Sequence, residues 1–114
     1  MIPATETIVF DREGLLERLG GDTELLAELL EIFLGECREM MAAVQSAVDA
    51  GDANRIERSA HSLKGALLNI SAEAAAERAL QLEQVGCAGE LELASSLLDD
   101  LQEEIQRLEP ELRS

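Results

Sequence analysis

Between Ile56 and Ile70 one set of apolar residues, Ile56, Ala60, Leu63, Leu67 and Ile70, is spaced by four and three rather than by two. On a helix that turns about 100° per residue they form one narrow stripe, the predicted buried face. The same stretch, Ser59-Ala60-His61-Ser62-Leu63-Lys64-Gly65-Ala66-Leu67-Leu68, holds the only histidine and the only lysine in 114 residues. On ideal geometry His61 stands roughly 140° round from Ile56, Lys64 roughly 80° and Gly65 roughly 180°. An imidazole, an ammonium and a residue without a side chain therefore share a patch turned away from the core. Glycine inside a helix costs about 1 kcal/mol relative to alanine. One turn beyond His61 it clears room for something bulky to reach the ring, and a phosphoryl group brought by another protein is such an object. Lys64 can balance its charge.

The rest of the chain reads as helices with short joints. Phe10-Asp11 opens a first short helix, with Asp11 as its cap, Phe10 stapled to Leu15, and Gly20-Gly21 as its stop. Asp22 caps a long second helix to about Ala50, its broad stripe running through Leu25, Leu26, Leu29, Leu30, Phe33, Cys37, Met40, Val44 and Val48. Gly51 ends it and Asp52 caps the histidine helix, expected over 53–70. Ser71 is expected to cap a fourth helix that stops at Gly86. A fifth starts near Gly89 with a seam of Leu91, Ala94, Leu98, Leu101, Ile105 and Leu108 and ends before Pro110. Short joints make neighbours antiparallel. The expectation is an all-α, up-down-up-down four-helix bundle with a short extra N-terminal helix. Residues 10–109 form its domain, 1–9 an arm or linker end and 110–114 a tail.

Composition agrees and excludes several functions. Apolar residues make up 46% of the chain but aromatics only 2%, as in a helical bundle. A formal charge of −15 is the wrong sign for nucleic acid or anionic membranes. Cys37 and Cys87 have no metal-like spacing, and Cys37 reads as a small core hydrophobe. With no signal peptide and no membrane-length apolar run, the chain reads as soluble and cytoplasmic, either free-standing or cut from a larger protein.

Folding the histidine helix and the next one about Ser71-Ala72 sets His61 level with residues 81–84. Glu83 lies there on the apolar stripe with Ala72, Ala76 and Ala79, where a carboxylate is costly unless partnered. His61 and Lys64 are the partners in reach; the competing reading is a carboxylate snorkelling to water. A carboxylate on one ring nitrogen would leave the other free to attack. Gln84 is a second candidate for orienting the ring. Leu68, one turn past Lys64, and Arg58, one turn before His61, are candidate partner contacts, although arginines on this face also serve simply to balance nearby glutamates.

His61-Ser62-Leu63-Lys64-Gly65, preceded by Ala60 and followed by Asn69-Ile70-Ser71-Ala72, resembles the histidine phosphotransfer (HPt) domains of bacterial two-component phosphorelays. The likeness spans nearly the whole chain, with one departure: family members commonly carry Gly-Ala where Ser71-Ala72 stands. The resemblance implies that His61 takes a phosphoryl group from a receiver-domain aspartate or a kinase and passes it to another receiver. It also implies that Glu83 occupies a position where some members bond the imidazole, a glutamate in the chemotaxis-kinase branch. Mg²⁺ would belong to the receiver.

No Gly-rich phosphate loop, Walker-type lysine or plain Mg²⁺-binding carboxylate cluster is present, so ATP is not an expected substrate. One histidine cannot supply the paired Glu-x-x-His of a di-iron bundle. The expected role is a phosphotransfer intermediate rather than an enzyme, a monomer without its own cofactor. Its partners would be a response-regulator receiver, a hybrid sensor histidine kinase, or both. Two alternatives stand beside it. One is a non-catalytic helical interaction module that binds through Leu68. The other is the phosphoacceptor domain of a histidine kinase, chemotaxis-type or dimerising; the dimerising kind usually has an acidic residue where Ser62 stands and a later proline.

Overall fold

In a computed structural model, which describes residues 8–113, three helices open on an aspartate. The Asp11 carboxylate accepts from the Gly14 amide at 3.0 Å and starts α1 (Arg12–Arg18). Asp22 accepts from Leu25 at 3.0 Å before α2 (Thr23–Ala50), and Asp52 from Arg55 at 3.2 Å before α3 (Ala53–Asn69). Each bond satisfies one of the amides that a helix start leaves without a partner. Then follow α4 (Glu73–Ala88), a 3₁₀ turn (Leu91–Leu93) and α5 (Ala94–Arg113). Neighbours pack in a closed ring, α2 on α3, α3 on α4, α4 on α5 and α5 back on α2. This is the up-down-up-down bundle, with α1 as the extra helix. At about 1.5 Å per residue, the 28 residues of α2 account for the 43 Å long axis.

The predicted stripe of α3 is the centre of the core: Ile56, Ala60, Leu63, Leu67 and Ile70 are each 1% exposed or less. Against them lie the small residues Ala75, Ala76 and Ala79 with Leu82 of α4. Phe33, Val44 and Ala47 of α2 and Leu98, Leu101, Ile105 and Leu108 of α5 close the rest. Cys37 is buried, and loss of water around it, with Glu109 adding, pushes its thiol up to about 11. It stays neutral and packs as a hydrophobe.

Six local expectations need correction. Ser71 does not cap α4. At φ 61° it ends α3 in the left-handed position where glycine is usual. The Ala72 amide returns to the Leu67 carbonyl at 2.9 Å and the Ser71 amide to Leu68 at 3.1 Å. That conformation costs a side-chain-bearing residue roughly 1–2 kcal/mol. Arg18 offsets part of it, its guanidinium donating to Ser71 Oγ at 2.7 Å and to the Asn69 carbonyl at 3.1 Å. Residues 8 and 9 are not a loose arm, because the Ile8 carbonyl accepts from the Ala74 amide at 3.0 Å and so caps α4 with main chain. Residues 1–7 of the expected arm lie outside the described residues.

Gly86 is not a stop: α4 continues to Ala88 and ends at Gly89, φ 74°. Leu91 lies on the 3₁₀ turn, 38% exposed, so the α5 seam begins at Ala94; Leu25 likewise lies outside the core, 44% exposed. Finally, α5 runs through Pro110, and residues 110–113 are helix rather than tail. The proline faces water, where its missing amide matters least. Leu112 is buried, and Arg12 donates to the Glu111 carbonyl at 3.0 Å, which holds the last turn down.

Gly86 marks the tightest approach of α3 and α4. A Cβ on it would stand 2.6 Å from the Glu57 nitrogen and 2.8 Å from the Ala53 carbonyl oxygen, both main-chain atoms that cannot swing aside. Gly86→Ala is therefore expected to destabilise the fold by about 1–3 kcal/mol. Chemical denaturation measures it, and an unchanged midpoint would show that the two backbones do not meet there.

Candidate functional site

Burying the α3 stripe turns His61 outward, and its side chain is 66% exposed. The neighbouring helix supplies its partner. Nδ1 lies 2.9 Å from Glu83 Oε2, while Lys64 Nζ lies 2.7 Å from Glu83 Oε1. Glu83 thus serves both expected partners at once, one through each oxygen. Oε1 is shut off from water and takes no well-aligned hydrogen bond; the ammonium compensates it as an ion contact.

The Lys64 contact, more than any other, holds Glu83 below the ordinary 4.5; desolvation opposes it and the bond from His61 assists. Glu83 is therefore ionised at neutral pH. An ionised carboxylate only accepts, so Nδ1 carries a proton toward it, and in the neutral ring the Nε2 lone pair is free on the exposed side.

Gly65 is exposed, and among the described residues, its own turns of helix main chain aside, no atom lies within 4 Å of where its Cβ would be. Nothing among the described residues requires a glycine there. Leu68 is 49% exposed and shares a groove with Lys64, Glu73, Ala76, Glu77 and Leu80 of α3 and α4. Arg58 is exposed on the other flank, beside a recess lined with Ala43, Arg55, Ser59 and Ser62. Gln84 is exposed on α4, and the ring's bond goes to Glu83 rather than to it. Ala43 and Leu80 reach the site from neighbouring helices and carry no motif. The register of the α3–α4 hairpin was the signal for Leu80; for Ala43 there was none.

The sequence model of the Hpt domain matches residues 28–111. The chain belongs to the Hpt domain family. Its structure is similar to the crystal structure of histidine-containing phosphotransfer protein B (HptB) from Pseudomonas aeruginosa PAO1. The two are 25% identical with a TM-score of 0.86, over 95% of this chain and 94% of that one. No curated protein sequence matches significantly. The expected fold and family hold, and this Hpt chain is a histidine phosphocarrier of a phosphorelay. Hpt domains work with receiver domains and histidine kinases. Among the described residues no helix is long and apolar enough to cross a membrane.

The depressed Glu83 acidity carries a pH signature. A carboxylate more acidic folded than unfolded contributes stability above its unfolded value and loses it as pH falls through the folded one. The stability difference between wild type and Glu83→Gln is expected to be present at neutral pH and to shrink below about pH 4. Denaturation at a series of pH values checks it; a difference that grows on acidification would contradict the ion contacts described.

Proposed function

We propose that His61 is the phosphoacceptor of this Hpt domain and exchanges its phosphoryl group with receiver-domain aspartates. The observation that carries the reading is the Nδ1–H bond to an ionised Glu83, 2.9 Å, on an exposed ring whose Nε2 is left as the nucleophile. In the forward step the Nε2 lone pair bonds to phosphorus while the P–O bond to the donor aspartate breaks. The electron pair of that bond returns to the aspartyl carboxylate. Positive charge develops on the ring, and Glu83 stabilises it through Nδ1–H. Transfer to a second receiver is the same step reversed.

Lys64 holds Glu83 in register and adds positive charge beside the arriving phosphoryl group. Gly65 gives that group access, while Arg58 flanks the ring as a contact for the partner. Mg²⁺ belongs to the receiver's acidic pocket and none to this chain. The phosphoryl source is a receiver or a hybrid sensor histidine kinase, since this domain does not draw on ATP itself. A bundle that closes its own core within one chain supports a monomer.

His61→Gln is expected to abolish the acid-labile, base-stable label acquired from a phosphorylated receiver; undiminished labelling would end the proposal. Glu83→Ala should slow transfer by about 10–100-fold through loss of ring orientation. Gly65→Ala should stabilise the helix by about 1 kcal/mol and yet slow transfer. A stabilised variant with the wild-type rate would remove the access role.

A further inference from the structure

We propose that the partner receiver seats an acidic edge in the groove between α2 and α3, against Arg58, rather than in the groove between α3 and α4. This deepens the phosphocarrier reading and rests on it. His61 stands between two grooves of opposite character. On the α4 side the rim carries Glu73 and Glu77, and the cation there, Lys64, is already engaged by Glu83 at 2.7 Å. On the α2 side Arg55, Arg58, Ser59 and Ser62 line the recess.

Arg55 donates to Ser46 Oγ at 3.0 Å, but Arg58 is exposed with no hydrogen bond or ion pair among the described residues. In a chain with 24 acids against 9 lysines and arginines, an uncommitted arginine one turn from the phosphoacceptor is informative. Three cations (Arg55, Arg58, Lys64) against one acid (Glu57) leave α3 at +2, while the whole chain stands at −15. The general surface repels an anionic partner and this helix attracts one. The substrate side chain, a phosphorylated aspartate, is itself such an anion.

Farther along α2, beyond that recess, the same face stays open. Arg55 reaches Ser46 and Ala43 shares the recess with Arg58 and Ser62, so the antiparallel register sets Gly35 level with the turn that carries Gly65. Gly35 lies eleven residues before Ser46, three turns of helix, and so on nearly the same face. It is exposed, inside α2, and among the described residues, its own turns of helix main chain aside, no atom lies within 4 Å of a would-be Cβ. Like Gly65, it weakens its helix without easing any contact in the chain. Glu39 is the acid that α2 sets between Gly35 and Ser46 on this face; Arg55 and Arg58 together outweigh it.

The test is steady-state transfer to the full chain from a receiver domain that labels it, phosphorylated by acetyl phosphate, across a range of salt concentrations. Arg58→Glu is expected to raise the KM for the receiver tenfold or more and to flatten the fall of kcat/KM with salt, whereas Arg58→Lys keeps the wild-type salt slope. Gly35→Ala is expected to raise both the melting temperature and the KM. A wild-type KM and salt slope in Arg58→Glu, or a wild-type KM in Gly35→Ala, would overturn the groove assignment. Labelling of the wild-type chain by the receiver and by phosphoramidate checks the underlying reading separately. If neither labels His61, that reading fails and the groove with it; if both do and the variants match wild type, the groove alone fails.

Discussion

Backbone meets backbone where Gly86 of α4 crosses Ala53 and Glu57 of α3, and that contact sets everything the site needs. It fixes the separation and register of the two helices. Glu83, one turn before Gly86 on α4, then faces His61 and Lys64 across the hairpin, near enough for 2.9 Å and 2.7 Å contacts. Small residues at the cap of α4 and along it, Ala72, Ala76 and Ala79, let the approach persist to the turn at Ser71. A wider spacing would leave the same three side chains in the same order and no shared carboxylate.

The shared carboxylate is better understood as a positioning device than as a source of stability. Glu83 is only 19% exposed, and one of its oxygens is cut off from water. Removing a charge from water offsets much of what its two partners return. What the arrangement does secure is direction: a deprotonated acceptor on one ring nitrogen dictates which nitrogen keeps its lone pair. The excess of acids elsewhere has a different consequence: a chain at −15 repels anions in general, while a locally positive α3 attracts them.

Much of this was legible in the sequence because it depends on period and on local capping. The α3 stripe, the three aspartate caps and the outward patch of His61, Lys64 and Gly65 follow from 3.6 residues per turn. Glu83 was legible for a related reason: a charge on an apolar stripe demands a partner, and hairpin register named two. The errors came where a residue type has two uses. Gly86 reads as a helix stop and proves to be an interhelix contact, visible only once α3 is in place. Ser71 reads as a cap and proves to be the left-handed residue, because Arg18, distant in sequence, holds its hydroxyl. Pro110 reads as a terminator, yet it lies on the wet face of a helix whose next turn is anchored by Leu112.

Gly86 and Gly65 put the two kinds of constraint side by side. Both are helix-interior glycines with the same intrinsic penalty of about 1 kcal/mol relative to alanine. At Gly86 the fold demands the residue, since any side chain would strike main-chain atoms of α3. At Gly65 the fold is indifferent, with open space where a side chain would go. A residue that weakens its own helix and relieves nothing within the chain makes physical sense only if its reason lies outside the chain. Gly65 is one turn from an exposed imidazole whose free nitrogen needs an approach path. On the function proposed above, the space it leaves admits whatever carries the phosphoryl group in.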